Sequence, residues 1–193
     1  MHTWTHSIRH HLKQGESPEK IVSRVYETYP ARAFEKLHGY DIEFEIKRRI
    51  ADELNVAITS VLICGSAQIG ESIHAGKPFD AARSDLDIAV VDKNLFIYLG
   101  LVAQTKTKDF QDLTSFPKLT GIDDVPSLYK NNYCRGFIHT FTLPSCEEKR
   151  KISDLFSSLT KQYVGKFTSI SGSVYSTLQS FERKQAETVR LVK

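Results

Sequence analysis

Leu62-Ile63-Cys64-Gly65-Ser66-Ala67-Gln68-Ile69-Gly70 and, after a polar gap, Ser84-Asp85-Leu86-Asp87-Ile88-Ala89-Val90-Val91-Asp92 decide how this chain reads. The run Ile58 to Cys64 is β-branched and apolar, which predicts a strand. It enters a turn and short helix at Gly65 to Gly70. Glu71 to Arg83 follows as a polar loop broken by Gly76 and Pro78. Ser84 to Asp92 predicts a second strand. Side chains alternate along a strand, so Asp85 and Asp87 share one face while Leu86, Ile88 and Val90 point into a core. Two carboxylates side by side repel and resist desolvation unless a cation sits between them. Mg²⁺ suits the position, because it takes one or two carboxylates together with phosphate oxygens. Gly65 and Ser66 supply the complementary half: a close backbone approach and a hydroxyl for phosphate oxygens. The pattern describes a site for a metal-chelated nucleoside triphosphate.

This constellation resembles the polymerase-β-like nucleotidyltransferase superfamily, whose signature is a strand, Gly-Ser, a gap, and Asp-x-Asp on the next strand. The resemblance covers about residues 42 to 92. It implies transfer of a nucleoside monophosphate from a nucleoside triphosphate, with ATP the expected donor, to an acceptor hydroxyl or phosphate, with pyrophosphate released. It also implies two Mg²⁺ ions held by Asp85 and Asp87, which are the expected catalytic pair, and a triphosphate held by Gly65 and Ser66. The acceptor is not specified. Two departures stand out. Eighteen residues separate Ser66 from Asp85, an excess that reads as an insertion around Ile73 to Ala82. A third carboxylate from a later strand, usual in active members, is not identified. The later strand, expected at Gly136 to Leu143, offers only His139, and Asp109, Asp112, Asp123 and Asp124 fall in expected loops. The alternative is therefore a catalytically inactive module that binds a nucleotide or a protein partner.

Other motifs weigh less. Gly65 to Ser72 has P-loop spacing, but Glu71 stands where the lysine should neutralise phosphate. His6 and His10 are four apart, as metal ligands on a helix can be, but no third ligand is near, and exposed imidazoles are the simpler reading. His74 lies in the insertion and could contact substrate, but a loop histidine needs no function. Leu128 to Gly136 mixes aromatics, amides and Arg135; a connector packing its tyrosines on the sheet is favoured over a base or acceptor pocket.

Around this centre the chain reads as helical. Ser17-Pro18-Glu19 starts a helical region that runs to Asn55 and breaks at Gly39. Ile42, Ile46, Ile50 and Leu54 form one apolar stripe, with Lys47, Arg48 and Arg49 off it. Asn94 to Gln104 suits a helix, and Lys106 to Ser127 is loop-rich. Ser145 and Glu148 match a capping box for a helix ending near Val164, and a last helix is expected from Thr168 to Val189. Phe156, Tyr163, Phe167, Tyr175 and Phe181 mark these helices as core-forming, with some free to face a partner.

The fold class is α/β of the α+β kind: a small mixed sheet of the nucleotidyltransferase type flanked by helices, with helical N- and C-terminal segments. Residues 1–144 form the nucleotidyltransferase-like domain and residues 145–193 a C-terminal helical segment packed on it. The 193 residues are enough for a full core. A net charge of +3 is too mild to argue for nucleic acid, which stays weakly supported. The expected partners are the triphosphate and a protein docked on the C-terminal helices. Three cysteines without CxxC spacing read as reduced thiols. With no signal peptide and no membrane-length apolar run, the cytoplasm is the expected compartment.

Overall fold

A computed structural model describes residues 3–192, apart from the side chain of Lys36. Its centre is a four-stranded mixed sheet in the order β1-β4-β6-β5. Strand β1 (Val61–Cys64) pairs antiparallel with β4 (Leu86–Val91), which pairs parallel with β6 (Ile170–Tyr175); β5 (Phe137–His139) closes the far edge antiparallel to β6. The residues before β1, Ile58–Ser60, form a 3₁₀ turn rather than strand.

One face of the sheet carries Ile63, Leu86, Ile88, Val90, Ile138, Ile170 and Val174 into the larger core. Covering it are α4 (Tyr40–Leu54), α6 (Lys93–Lys106), α7 (Val125–Cys134) and α8 (Glu147–Gln162). The stripe on α4 behaves as its spacing requires. Ile46 and Ile50 are fully buried, each worth about 1.5–3 kcal/mol relative to exposure, and Ile42 and Leu54 pack at the margin. Arg49 is not simply solvated, because it donates to Ser158 and Gln162 and ties α4 to α8.

The opposite face carries Cys64, Ala89, Phe137 and Tyr175 into a second core. Its cover comes from both chain ends: α1 (Trp4–Lys13), α2 (Pro18–Val22), a π-helical turn at Ser23–Thr28, and α9 (Leu178–Val189). Ser17 caps α2 as expected, accepting from the Lys20 N–H. The helical region then breaks earlier than Gly39, at Tyr29 and Pro30, before the short α3 (Arg32–Lys36). The bend is held from the sheet side. Gln68, buried in α5 (Gly65–Ile69), donates to the carbonyls of Val25 and Tyr29 at 2.6 and 3.1 Å.

Three expectations need correction. The last helix does not start at Thr168, because residues 170–175 are strand β6 in the middle of the sheet and only Leu178–Val189 is helical. Serines at 169, 171 and 173 alternate with Ile170, Gly172 and Val174, so the segment has period two. The start of α8 is capped by Cys146, whose Sγ accepts from the Lys149 N–H, not by a Ser145–Glu148 box. The strand expected at Gly136–Leu143 is only Phe137–His139, after which Thr140–Thr142 turn as 3₁₀. The connector before it is helix α7, whose Tyr129 is fully buried and whose Tyr133 stacks on Phe96. The C-terminal aromatics Phe156, Tyr163, Phe167, Tyr175 and Phe181 are all core.

Candidate functional site

Antiparallel pairing sets Cys64, the last residue of β1, opposite Asp87, so the turn that follows β1 lies beside that carboxylate. Gly65 makes the turn with φ +60°, a conformation costly for any residue with a Cβ. A Cβ there would stand 2.7 Å from Asp87 Oδ2. The carboxylate therefore packs against the turn more closely than any residue with a side chain would permit.

Asp85 and Asp87 do lie on one side, with Leu86 buried between them. Across the parallel pair, β6 brings up a row of hydroxyls. Ser169 donates to Asp85 Oδ1 at 2.8 Å, Ser171 donates to Asp87 Oδ1 at 3.3 Å, and Ser173 shares a 2.7 Å hydrogen bond with His139 Nδ1. Among the described residues neither aspartate has an ion-pair partner, and no three His, Cys, Asp or Glu side chains gather as a metal-ligand set. The position facing Asp87 on the neighbouring strand is a serine, and Asp109, Asp112, Asp123 and Asp124 lie outside the cleft.

The cleft has a volume of about 380 Å³. Its strand-side wall includes Gly65, Ser66, Asp87, Ser171 and His139, while Asp85 stands just outside the lining, at the entry to β4. Asp87 is open to the cleft yet crowded by its walls. This desolvation, with a smaller push from Asp85, raises its carboxyl above the usual range, against the pull of Ser171. Burial and then Lys184 push His139 down to about 4, so its imidazole is neutral at physiological pH.

Several lining residues were not singled out from sequence. Lys184, Gln185 and Thr188 come from α9, and Tyr26 comes from the π-helical turn. The expected insertion folds back as a small hairpin of β2 (Glu71–Ser72) and β3 (Lys77–Pro78), which sets His74 against the cleft. The period-two serines were the one sequence signal that could have found Ser171; nothing local marks Tyr26 or Lys184, because long-range packing brings them in.

A second cavity of about 610 Å³ adjoins the first and shares Phe141 and Ser171 with it. Ser169, which holds Asp85, also lines this second cavity. Asp87 lines only the first cavity, and neither aspartate lines the second. His6 and His10 are exposed on α1, and the three cysteines are free. No helix among the described residues is long and apolar enough to cross a membrane.

Comparison of the chain with protein-family models, with curated proteins and with solved structures found no match.

Proposed function

We propose that the chain is a Mg²⁺-dependent nucleotidyltransferase that binds a nucleoside triphosphate, ATP in the first instance, in the Asp87 cleft and an acceptor in the adjoining cavity. The observation that carries this reading is Asp87 itself. It is a carboxylate in a crowded cleft, packed against a turn whose close approach requires glycine at 65. Asp85 and Asp87 would hold Mg²⁺, which when bound neutralises phosphate charge and polarises the reacting phosphorus. Two carboxylates with phosphate oxygens are a sufficient donor set for that ion. Ser66 lies where it can hold a phosphate oxygen, and Lys184 also lines the cleft, its ammonium paired with Glu187 at 2.7 Å and able to exchange that partner for a phosphate. Ser169 and Ser171 hold one oxygen of each aspartate and leave the second oxygen of each to point elsewhere.

The test is Asp87→Asn. The free protein should become more stable at neutral pH, because a carboxylate with a raised pKa is penalised when ionised, while Mg²⁺-dependent ATP binding should be lost. Unchanged ATP binding would remove Asp87 from the site. A second reading, a nucleotide-binding module without turnover, is favoured by Ser171, which occupies the register position where a third carboxylate would complete the site. Pyrophosphate release in the presence of Mg²⁺ and ATP separates the two readings.

A further inference from the structure

Tyr26 is 3% exposed, lines the Asp87 cleft, and carries a buried hydroxyl with no hydrogen-bond partner. A buried hydroxyl without a partner is a standing penalty, and of the two buried tyrosine hydroxyls left unpaired among the described residues, Tyr26 is the one whose residue lines this cleft. The backbone beneath it is equally unusual. Residues 23–28 are wound as a π-helix, a form that recurs at functional sites, and Gln68 from the helix that follows the Gly65 turn clamps this segment to the sheet. The ring is fixed against Phe181, edge to face at 5.9 Å, and Phe181 also packs edge to face on Tyr175. Tyr175 in turn accepts from Gln185 Nε2 at 3.5 Å, and Tyr175, Gln185 and Thr188 all line the same cleft.

The cleft therefore has walls of two kinds. The strand side presents Asp87, Ser66 and Ser171, while the π-turn and α9 present the neutral polar groups of Tyr26, Gln185 and Thr188 beside Lys184, whose ammonium is paired with Glu187. Neutral donors and amides suit the uncharged part of a nucleotide, whose sugar hydroxyls, ring nitrogens and base carbonyls accept hydrogen bonds. Burial keeps the Tyr26 hydroxyl protonated, so it remains a donor at any working pH.

We infer that Tyr26 is a specificity-determining residue that donates its hydroxyl to the nucleoside portion of the bound triphosphate. This inference rests on the nucleotide-binding reading of the cleft. The occupant is a nucleoside, and the pairing supplies what the free protein leaves unmade. A site built to hydrogen-bond a ligand group discriminates strongly against analogues that lack the group, because its own polar atoms are then left unpaired.

The test compares ATP with inorganic tripolyphosphate, each titrated calorimetrically with Mg²⁺ into the wild type and Tyr26→Phe. The variant breaks no hydrogen bond in the free protein, so its thermal midpoint should hold or rise. ATP affinity should fall about tenfold, the size of one well-placed hydrogen bond, while tripolyphosphate affinity should not change. Gln185→Met, which changes the same wall from α9, should show the same split and serves if Tyr26→Phe folds poorly. ATP binding unchanged in both variants, or equal losses for ATP and tripolyphosphate, would overturn the assignment. Wild-type protein that binds neither ligand would sink the nucleotide reading itself, an outcome distinct from a wild type that binds ATP and is indifferent to Tyr26.

Discussion

Gly65→Ala separates backbone strain from damage to the site. At φ +60° an L-residue is in the left-handed region, which costs about 1–2 kcal/mol; alanine recovers about 0.4–1 kcal/mol by restricting the unfolded chain. The net loss of stability should therefore be about 1 kcal/mol. The new Cβ also meets Asp87 Oδ2 at 2.7 Å, closer than such contacts allow. That oxygen ends a flexible side chain, so the carboxylate rotates away rather than the strand moving. Stability then changes little more, but the carboxylate no longer points where the free oxygen is needed. Mg²⁺-dependent ATP affinity should fall at least tenfold, equivalent to about 1.4 kcal/mol. Gly15→Ala is the control. Gly15 has φ +77° and nothing within 4 Å of an added Cβ, so it carries the backbone cost with no effect on the cleft. Urea unfolding and calorimetric titration read the two quantities separately. The reasoning is refuted if Gly65→Ala binds Mg²⁺ and ATP as the wild type does, or if Gly15→Ala loses as much affinity.

Two further outcomes follow from the same packing. His139 is held near 4 in the folded chain against about 6.5 when unfolded, so between these values the unfolded state binds more protons and stability rises with pH; this acid limb, on the order of 2–3 kcal/mol, should shrink in chemical denaturation of His139→Gln. Gln68→Leu keeps the bulk of the side chain but strips the donors from Val25 and Tyr29, and should cost about 2 kcal/mol or more in urea unfolding, with ATP affinity falling as the π-helical turn loosens.

The part of the fold that was legible in sequence was the part written in short-range pattern. The strand–Gly-Ser–strand unit, the α4 stripe and the Asn94–Gln104 helix all have local periodicity, and each is found with its ends moved by a few residues. Strand β6 shows where local reading failed. Its apolar positions are diluted by Gly172 and three serines, and aromatics spaced along residues 156–181 suggest a continuous helical region. Only its place between two other strands makes it β, because tertiary pairing overrides weak local preference. That mistake hid the most informative residue of the site. The residue paired with Asp87 across the parallel ladder is Ser171, on a strand whose own sequence does not mark it as one. Of the candidate cleft, Gly65, Ser66 and Asp87 were legible because Gly-Ser and Asp-x-Asp are short local motifs at the ends of two strands. Asp85 lies beside the cleft rather than in its wall, and Tyr26 and Lys184 arrive from opposite ends of the chain.

The central claim is a metal–triphosphate site at the aspartate pair, and titration of ATP into the full chain with and without Mg²⁺ tests it most directly. The wild type should bind ATP only when Mg²⁺ is present, and the protein carrying Asp85→Ala and Asp87→Ala should lose that binding while unfolding as cooperatively as the wild type. ATP binding that ignores Mg²⁺, or that survives in the double variant, would contradict the account.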